Sequence, residues 1–161
     1  AKVILASRTE LGKLPDLTRL GPEPLSPSLT YPKFRLLITK GRRKIKQVLM
    51  DQATIVGIGN IYADEILWQA KVNPFRRASL LQEKESRAIF QATQKILREA
   101  LRLRGTSTND YRDPEGKPGL YAARRRVYQR EGEPCLRCNT KIRRKKIGSR
   151  SCHFCPKCQK I

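Results

Sequence analysis

The order of apolar and polar positions predicts a mainly helical chain with a small β region near its C-terminal end. Ile45, Val48 and Leu49 form an i, i+3, i+4 apolar stripe, which is the pattern of an amphipathic helix. Basic residues occupy the opposite face of this segment, and Gly41 divides it in two. Residues 33–50 are therefore predicted to be helical on both sides of a turn.

Two further helices are predicted after the glycine turn at residues 57–59. Asn60 is suited to be the N-cap of a helix that runs to about residue 71. Ser79 and Gln82 fit a capping box at the start of a third helix, which ends at the next glycine. The third helix has apolar residues at helical spacing, namely Ile89, Ala92, Ile96, Ala100 and Leu103.

The segments outside these helices have the composition of strands, linkers and loops. A short apolar run opens residues 1–12 and indicates a strand, whereas the prolines of residues 13–32 indicate a linker. Residues 105–123 are rich in Gly, Pro and Asp, which predicts a loop. Residues 124–161 are predicted to form short β-strands around the cysteines.

The charge of the chain indicates its class of partner. The 161 residues include 35 Lys and Arg against 14 Asp and Glu, which gives a net charge of +21. A compact protein with this charge repels itself and is stabilised beside a polyanion, so nucleic acid is the predicted partner and an anionic membrane surface the weaker alternative. No run approaches the roughly 18 apolar residues of a spanning helix, so no membrane insertion is expected.

All five cysteines lie between residues 135 and 158. Cys135 and Cys138 form one CxxC pair, and the second pair is either Cys152–Cys155 or Cys155–Cys158, because both have the same spacing. Two CxxC turns separated by a spacer are typical of a tetrahedral zinc site. Clustered cysteines in a chain with no export signal favour such a metal over disulfides.

The residues beside the cysteines favour one of the two choices. Pro156 directly follows Cys155, where a missing N–H and a fixed φ cost little. Asn139 tolerates the left-handed conformation that is often found after a second ligand. Cys152 is then left free, and His153 is expected to be an exposed neighbour. The predicted ligands of one structural Zn²⁺ are Cys135, Cys138, Cys155 and Cys158.

Between the two ligand pairs lies a basic segment that is predicted to be a hairpin with Gly148-Ser149 at its turn. It has six Lys and Arg between residues 141 and 150 and would not keep one shape unaided. A charge run is usually only a solvated face. Because this run is held between metal ligands in a strongly basic chain, nucleic-acid contact is the favoured interpretation.

The glycine turn before the second helix has the character of a phosphate site. Gly57 and Gly59 allow another molecule to approach the backbone closely. A helix that starts at Asn60 offers unpaired N–H groups and the positive end of its dipole, and Lys46 flanks it. GxG alone is weak support for such a site, because packed helices also use glycines.

Longer stretches of the sequence resemble a known family. IKQVLMDQ, VGIGNIYADEILW and NPFRRA resemble, in this order, the helix–two-turn–helix module of the formamidopyrimidine-DNA glycosylase and endonuclease VIII family. RVYQREGEPCLRC and GSRSCHFCPKCQ resemble its C-terminal zinc finger. The resemblance implies a remnant of an N-terminal β domain and a linker in residues 1–32, a helical DNA-binding domain with a loop in residues 33–123, and a zinc finger in residues 124–161.

The resemblance also implies roles for single residues. Asn60, preceded by Gly59, is expected to hold a phosphate of damaged duplex DNA, and Lys46 a neighbouring one. Arg150 is expected to hold the phosphates that flank a flipped nucleotide. The four predicted zinc ligands match those of the family, and Cys152 stands where the family usually has Thr or Ser.

The catalytic residues of this family have no counterpart in the chain. The family acts through an N-terminal proline with a glutamate beside it, whereas this chain begins Ala1-Lys2. No catalytic residue is therefore predicted here. The residues that fill the space of a flipped base would lie near 8–12, where the chain offers Thr9 and Leu11, or Arg8 if the register is shifted. Asp64 and Glu65 are predicted to be first-turn helix charges.

Two hypotheses about function follow. In the first, the chain is the DNA-binding C-terminal portion of a base-excision-repair glycosylase and AP lyase, acting as a monomer in a bacterial cytoplasm. In the second, it is a catalytically inert, stand-alone protein that binds nucleic acid through zinc-dependent structure. The preferred lesion is left open in both.

Overall fold

The computed structural model describes residues 7–11, 14–106 and 116–160. A helical body comes first, and two antiparallel strands follow near the C-terminus, in agreement with the predicted combination of helices and a small β region. Two 3-10 helices, Ala78–Leu80 and Tyr121–Arg124, accompany the main elements. In chain order these are α1 Arg8–Leu11, α2 Pro15–Thr18, α3 Tyr31–Ile38, α4 Ile45–Leu49, α5 Asn60–Ala70, α6 Glu83–Arg102, β1 Arg143–Ile147 and β2 Arg150–Phe154.

Two helices, α3 and α4, lie on either side of Gly41, as predicted for residues 33–50. Gly41 has a φ of 77°, a left-handed conformation that suits glycine because it has no Cβ. α3 begins with a proline in its first turn, where the missing N–H has no helical partner to lose. The apolar stripe of α4 is buried, as its spacing predicts.

α5 follows the glycine turn as predicted, but its N-cap lies one residue earlier than predicted. Its N-cap is Gly59, and Asn60 is the first helical residue instead of the cap. Gly57 has a φ of 83°, so the turn before the helix requires the left-handed region. At the other end, Lys71 closes the helix in the left-handed conformation with a φ of 59°.

The capping box of α6 lies three residues later than predicted. Gln82 is the N-cap, and its N–H donates to the Glu85 carboxylate at 2.8 Å. Ser79 belongs instead to the preceding 3-10 helix. The apolar stripe of α6 packs into the core, with Ile89 and Ile96 fully buried.

The main core lies where α6 packs across α5 and α3. Phe34 of α3 meets Phe90 of α6 edge to face, with ring centroids 5.1 Å apart. No helix among the described residues is apolar over a length that would cross a bilayer.

The proline-rich segment is packed against the helical body, although its composition suggested a linker. Leu29 is buried, and the N–H of Gly21 donates to the carbonyl of Gln52 at 2.8 Å. A Cβ on Gly21 would lie 2.6 Å from the backbone of Thr54, so only glycine permits this approach. The segment is therefore part of the fold.

Four expectations concern the N-terminal end and the long loop. The strand predicted in the apolar run at residues 1–6 lies outside the described residues, as do residues 107–115 of the loop. Residues 8–11, which resembled the end of a β domain, form the helix α1. The positions considered for the flipped-base space, Arg8, Thr9 and Leu11, all lie on this helix.

Candidate metal centre and nucleic-acid interface

Two tight turns bring four thiols together at the C-terminal end of the chain. The sulfur atoms of Cys135, Cys138, Cys155 and Cys158 all lie within 4.8 Å of one another. In a tetrahedral site with Zn–S bonds of about 2.3 Å, sulfur atoms are about 3.8 Å apart. The donor set and its size therefore fit zinc, and the predicted choice of four ligands is confirmed.

Hydrogen bonds donated by backbone N–H groups hold the two ligand turns. In the first, the N–H of Asn139 donates to the carbonyl of Cys135 at 2.9 Å, and Asn139 has the expected left-handed conformation with a φ of 60°. In the second, the N–H of Cys158 donates to the sulfur of Cys155 at 3.4 Å. Four thiolates fill a tetrahedral metal, so this is a structural site.

The thiols differ in how readily they lose their protons. Hydrogen bonds from Thr140 lower the pKa of Cys138 to about 6. Burial and the neighbouring thiols Cys138 and Cys155 raise the pKa of Cys158 to about 12, because adjacent thiolates repel each other. A bound Zn²⁺ supplies the positive charge that lets all four sulfurs ionise.

β1 and β2 form the predicted hairpin with its turn at Gly148-Ser149. The side chains of residues 143–146 in β1 are exposed, so the hairpin presents its cations to solvent. Arg150 is exposed at the first position of β2, directly after the turn. Its predicted role toward phosphate is compatible with this position and stays a prediction.

Cys152 lies outside the cluster of metal ligands. It is fully buried in β2 beside Ile147 and Phe154, and Phe75 packs against this small cluster. Burial, with Asp64 adding to the effect, raises the pKa of the Cys152 thiol far above its ordinary value. Cys152 therefore acts as a small core residue, which agrees with the prediction that it is not a ligand.

The expectation that His153 is exposed is wrong. His153 is buried, and its backbone N–H donates to Oδ2 of Asp64 at 2.9 Å. Its ring lies edge to face against Tyr128, with centroids 5.1 Å apart. His153 thus belongs to the contact between the finger and α5, because Asp64 lies on that helix.

Lys46 is also buried, although it was predicted to contact a DNA phosphate. Its side chain is 1% exposed, and its ammonium lies 2.7 Å from Oδ1 of Asp64. The same ammonium donates to the carbonyl of Ser151 at 2.6 Å. The ammonium is enclosed by these two acceptors, so Lys46 joins α4, α5 and the hairpin instead of facing solvent.

Glu65 is a second buried anchor that the sequence interpretation missed. Its carboxylate accepts the N–H groups of Arg126, Val127 and Tyr128 at 2.9, 2.9 and 3.0 Å. Burial raises the pKa of Glu65, whereas these three donors and the charge of Arg126 favour its ionised form. The carboxylate thereby fixes the segment that enters the zinc finger.

Asp64 and Glu65 are therefore not exposed first-turn charges. Both are fully buried or nearly so, and they bind two different parts of the C-terminal region. A signal for this existed in the sequence, because α5 reads NIYADEILWQA and is apolar on most sides. Acidic residues inside such a helix must find partners, since burying an unpaired charge is costly.

The start of α5 retains the features of an anion site. Gly57 and Gly59 are exposed, so the helix start is open to another molecule. The first turn of a helix has N–H groups without intrahelical partners and the positive end of the dipole. Oδ1 of Asn60 is buried and lacks a hydrogen-bond partner among the described residues. Because this oxygen is an acceptor, the groups that could bind an anion here are the N–H donors of the helix start and of the Asn60 side chain.

A short path through α5, the buried Lys46 and β2 connects Asn60 to Arg150. Asp64 lies one helical turn after Asn60 on the same side of α5, a rise of about 6 Å. Asp64 and the carbonyl of Ser151 contact the same ammonium of Lys46, and Ser151 is the neighbour of Arg150. The helix start and the tip of the hairpin are thus held in a fixed relation.

These features define a class of protein in which a helix–two-turn–helix module is joined to a four-cysteine zinc finger. Residues 20–112 match the family model of the formamidopyrimidine-DNA glycosylase H2TH domain. Residues 132–161 match the model of the zinc finger found in FPG and IleRS. The chain belongs to the formamidopyrimidine-DNA glycosylase family, which confirms the resemblance seen in its sequence.

Curated relatives agree with this assignment. The formamidopyrimidine-DNA glycosylase of Listeria innocua is 46% identical over 145 residues, which cover 90% of this chain and 53% of the relative. The formamidopyrimidine-DNA glycosylase of Thermus thermophilus is 43% identical over 154 residues, which cover 94% of this chain and 58% of the relative. The chain thus spans a little over half the length of the curated relatives it matches.

Solved structures show the same architecture. The crystal structure of the MutM (Fpg) protein from Thermus thermophilus superposes with a TM-score of 0.88 at 43% identity, covering 94% of this chain and 58% of that one. The Lactococcus lactis Fpg in complex with abasic-site DNA superposes with a TM-score of 0.87 at 33% identity, and the match covers 97% of this chain and 57% of that one.

Proposed function

We propose that this chain provides the DNA-binding part of a formamidopyrimidine-DNA glycosylase and AP lyase. The observation that carries the proposal is the fixed path from Asn60 through Asp64 and Lys46 to the hairpin that bears Arg150. Related Fpg proteins have been crystallised with abasic-site and Fapy-dG DNA, which supports damaged duplex DNA as the ligand. The bacterial relatives support action in a bacterial cell, and a single chain contains both proposed contacts.

In this proposal two surfaces hold the sugar–phosphate backbone of one duplex. The first is the start of α5, where the N–H groups and the side-chain amide of Asn60 bind a phosphate. The second is the exposed hairpin, where Arg150 binds phosphates on the other side of the lesion. Lys46 supports the arrangement from inside and does not touch DNA.

Holding the backbone at two points assists base flipping. Extruding a nucleotide costs a few kcal/mol of unstacking and unpairing, least at a damaged position. Phosphate contacts that exist only when the backbone is bent offset that cost. The described residues hold the backbone, whereas bond breaking requires a nucleophile that we do not assign to this chain.

Duplex binding tests the proposal most simply. We expect the chain to bind a duplex with an abasic-site analogue more tightly than the same undamaged duplex, measured by fluorescence anisotropy over a range of salt concentrations. Arg150→Ala should reduce the slope of log K against log[salt] by about 0.9, the value for one phosphate contact. Asn60→Asp should weaken binding because it places a negative charge at the phosphate site.

Arg87→Ala provides the matched control. Arg87 is an exposed arginine whose partners are Glu83 and the ring of Tyr31, so it lies in a different contact network. Its substitution should leave the salt slope nearly unchanged. Equal losses in the Arg87 and Arg150 variants would show that binding depends only on total charge, which contradicts the proposal.

Borohydride trapping tests whether this chain carries a nucleophile for the lyase step. A lyase of this type forms a Schiff base between an unprotonated amine and the sugar, and the amine of Lys46 is buried in an ion pair. We expect the 161-residue chain to bind abasic duplex without forming a covalent adduct. An adduct would show that the chain has its own nucleophile.

A further inference from the structure

Trp68 connects α5 to the metal centre. It is the single tryptophan of the chain, and its side chain is 6% exposed. The indole Nε1 lies 3.4 Å from the sulfur of Cys135, with the N–H directed at that atom. Trp68 and Cys135 belong to one small core that also includes Cys155 and Val127.

The finger holds the indole from a second direction. Arg137, which lies within the first ligand turn, stacks its guanidinium 4.0 Å from the centroid of the Trp68 ring. The same guanidinium donates to the backbone carbonyl of Trp68 at 3.1 Å. The ligand turn and this point of α5 therefore contact each other through a stacked pair and two hydrogen bonds.

We propose that Trp68 is an outer-sphere partner of the zinc centre, whose N–H stabilises the Cys135 thiolate and thereby couples metal binding to the position of α5. A thiolate accepts a hydrogen bond more strongly than a neutral thiol, because the bond is charge-assisted. Partners of this kind orient the metal ligands and tune their affinity.

The position of Trp68 on the helix connects this coupling to the proposed DNA contact. Asn60, Asp64 and Trp68 occupy positions i, i+4 and i+8, so they lie along one stripe of α5. Asp64 binds the finger through His153, and Trp68 binds it through Cys135. The stripe that faces the finger therefore begins at the proposed phosphate site and ends at the metal site.

Trp68→Phe removes the N–H but keeps an aromatic ring in the same place. We expect zinc affinity, measured by competition with a chelator in the absence of DNA, to fall by about tenfold or more. In the Co²⁺-substituted protein, the sulfur-to-cobalt charge-transfer absorption should shift, because one thiolate loses a hydrogen bond. A variant with wild-type zinc affinity and an unshifted absorption would overturn the proposal.

Two control variants separate the hydrogen bond from packing. Tyr62→Phe also removes one aromatic donor from α5, but its hydroxyl pairs with Thr106, so it should change neither readout. Arg137→Met removes the stacked cation and leaves the indole N–H in place, so the absorption should stay near its wild-type position. A shift in Arg137→Met as large as in Trp68→Phe would contradict a role for the hydrogen bond.

Discussion

Replacing Lys46 with methionine should destabilise the protein much more than its place on a basic surface segment would suggest. The substitution keeps the length of the side chain and removes its charge. Asp64 then retains a carboxylate that is fully buried, and the carbonyl of Ser151 loses its donor at 2.6 Å. The loss of stability should arise at the contact between the helical body and the zinc finger.

The size of the effect follows from burial. The side chains of Lys46 and Asp64 are 1% and 0% exposed at a separation of 2.7 Å. Removing one partner of a buried ion pair costs about 3–5 kcal/mol, because the other charge stays buried without compensation. Arg43 and Asp51 form a pair of similar length, 2.8 Å, but are 51% and 30% exposed. An exposed pair of this kind contributes only about 0–1 kcal/mol.

Urea unfolding of the zinc-saturated protein, followed by circular dichroism, provides the comparison. Lys46→Met should lower the free energy of unfolding by at least about 2 kcal/mol more than Arg43→Met. Adding Asp64→Asn to Lys46→Met should restore part of the loss, because the buried charge is removed while an oxygen remains for the N–H of His153. Equal effects of the two single substitutions would refute the reasoning.

Two further predictions concern the finger and its anchor. Cys152→Ser should retain one zinc per chain by metal analysis, whereas Cys155→Ser should lose it, since only Cys155 belongs to the four-sulfur cluster; the reverse result would show that the ligands are wrongly assigned. Glu65→Gln should lower the free energy of unfolding by about 1.5–3 kcal/mol, because the hydrogen bonds from three backbone N–H groups lose an ionised acceptor. Unfolding as in the wild type would show that the carboxylate is not an anchor.

Local sequence patterns were sufficient to predict the features of the fold that are determined by residues close together in the chain. The break at Gly41, the apolar stripe of α6 and the turn at Gly148-Ser149 depend on backbone conformation and side-chain period. The zinc ligands were found because the conformations of Asn139 and Pro156 are properties of a short turn. The domain limits at residues 32 and 123 stay predictions.

The misassigned residues depend on contacts between distant parts of the chain. Lys46 meets Ser151 across 105 residues, and Asp64 meets His153 across 89. A lysine among surface arginines and an acid in the first turns of a helix have ordinary solvent-exposed interpretations, and only tertiary packing excludes them. The apolar character of α5 was the one local sign that its acids are buried.

The most direct test of the account is a crystal structure of this chain with a short duplex that contains an abasic-site analogue. We predict that the start of α5 at Asn60 and the guanidinium of Arg150 contact phosphates of the same duplex, while Lys46 remains paired with Asp64. A structure in which the duplex touches only one of these two surfaces, or in which Lys46 leaves Asp64 to bind a phosphate, would contradict it.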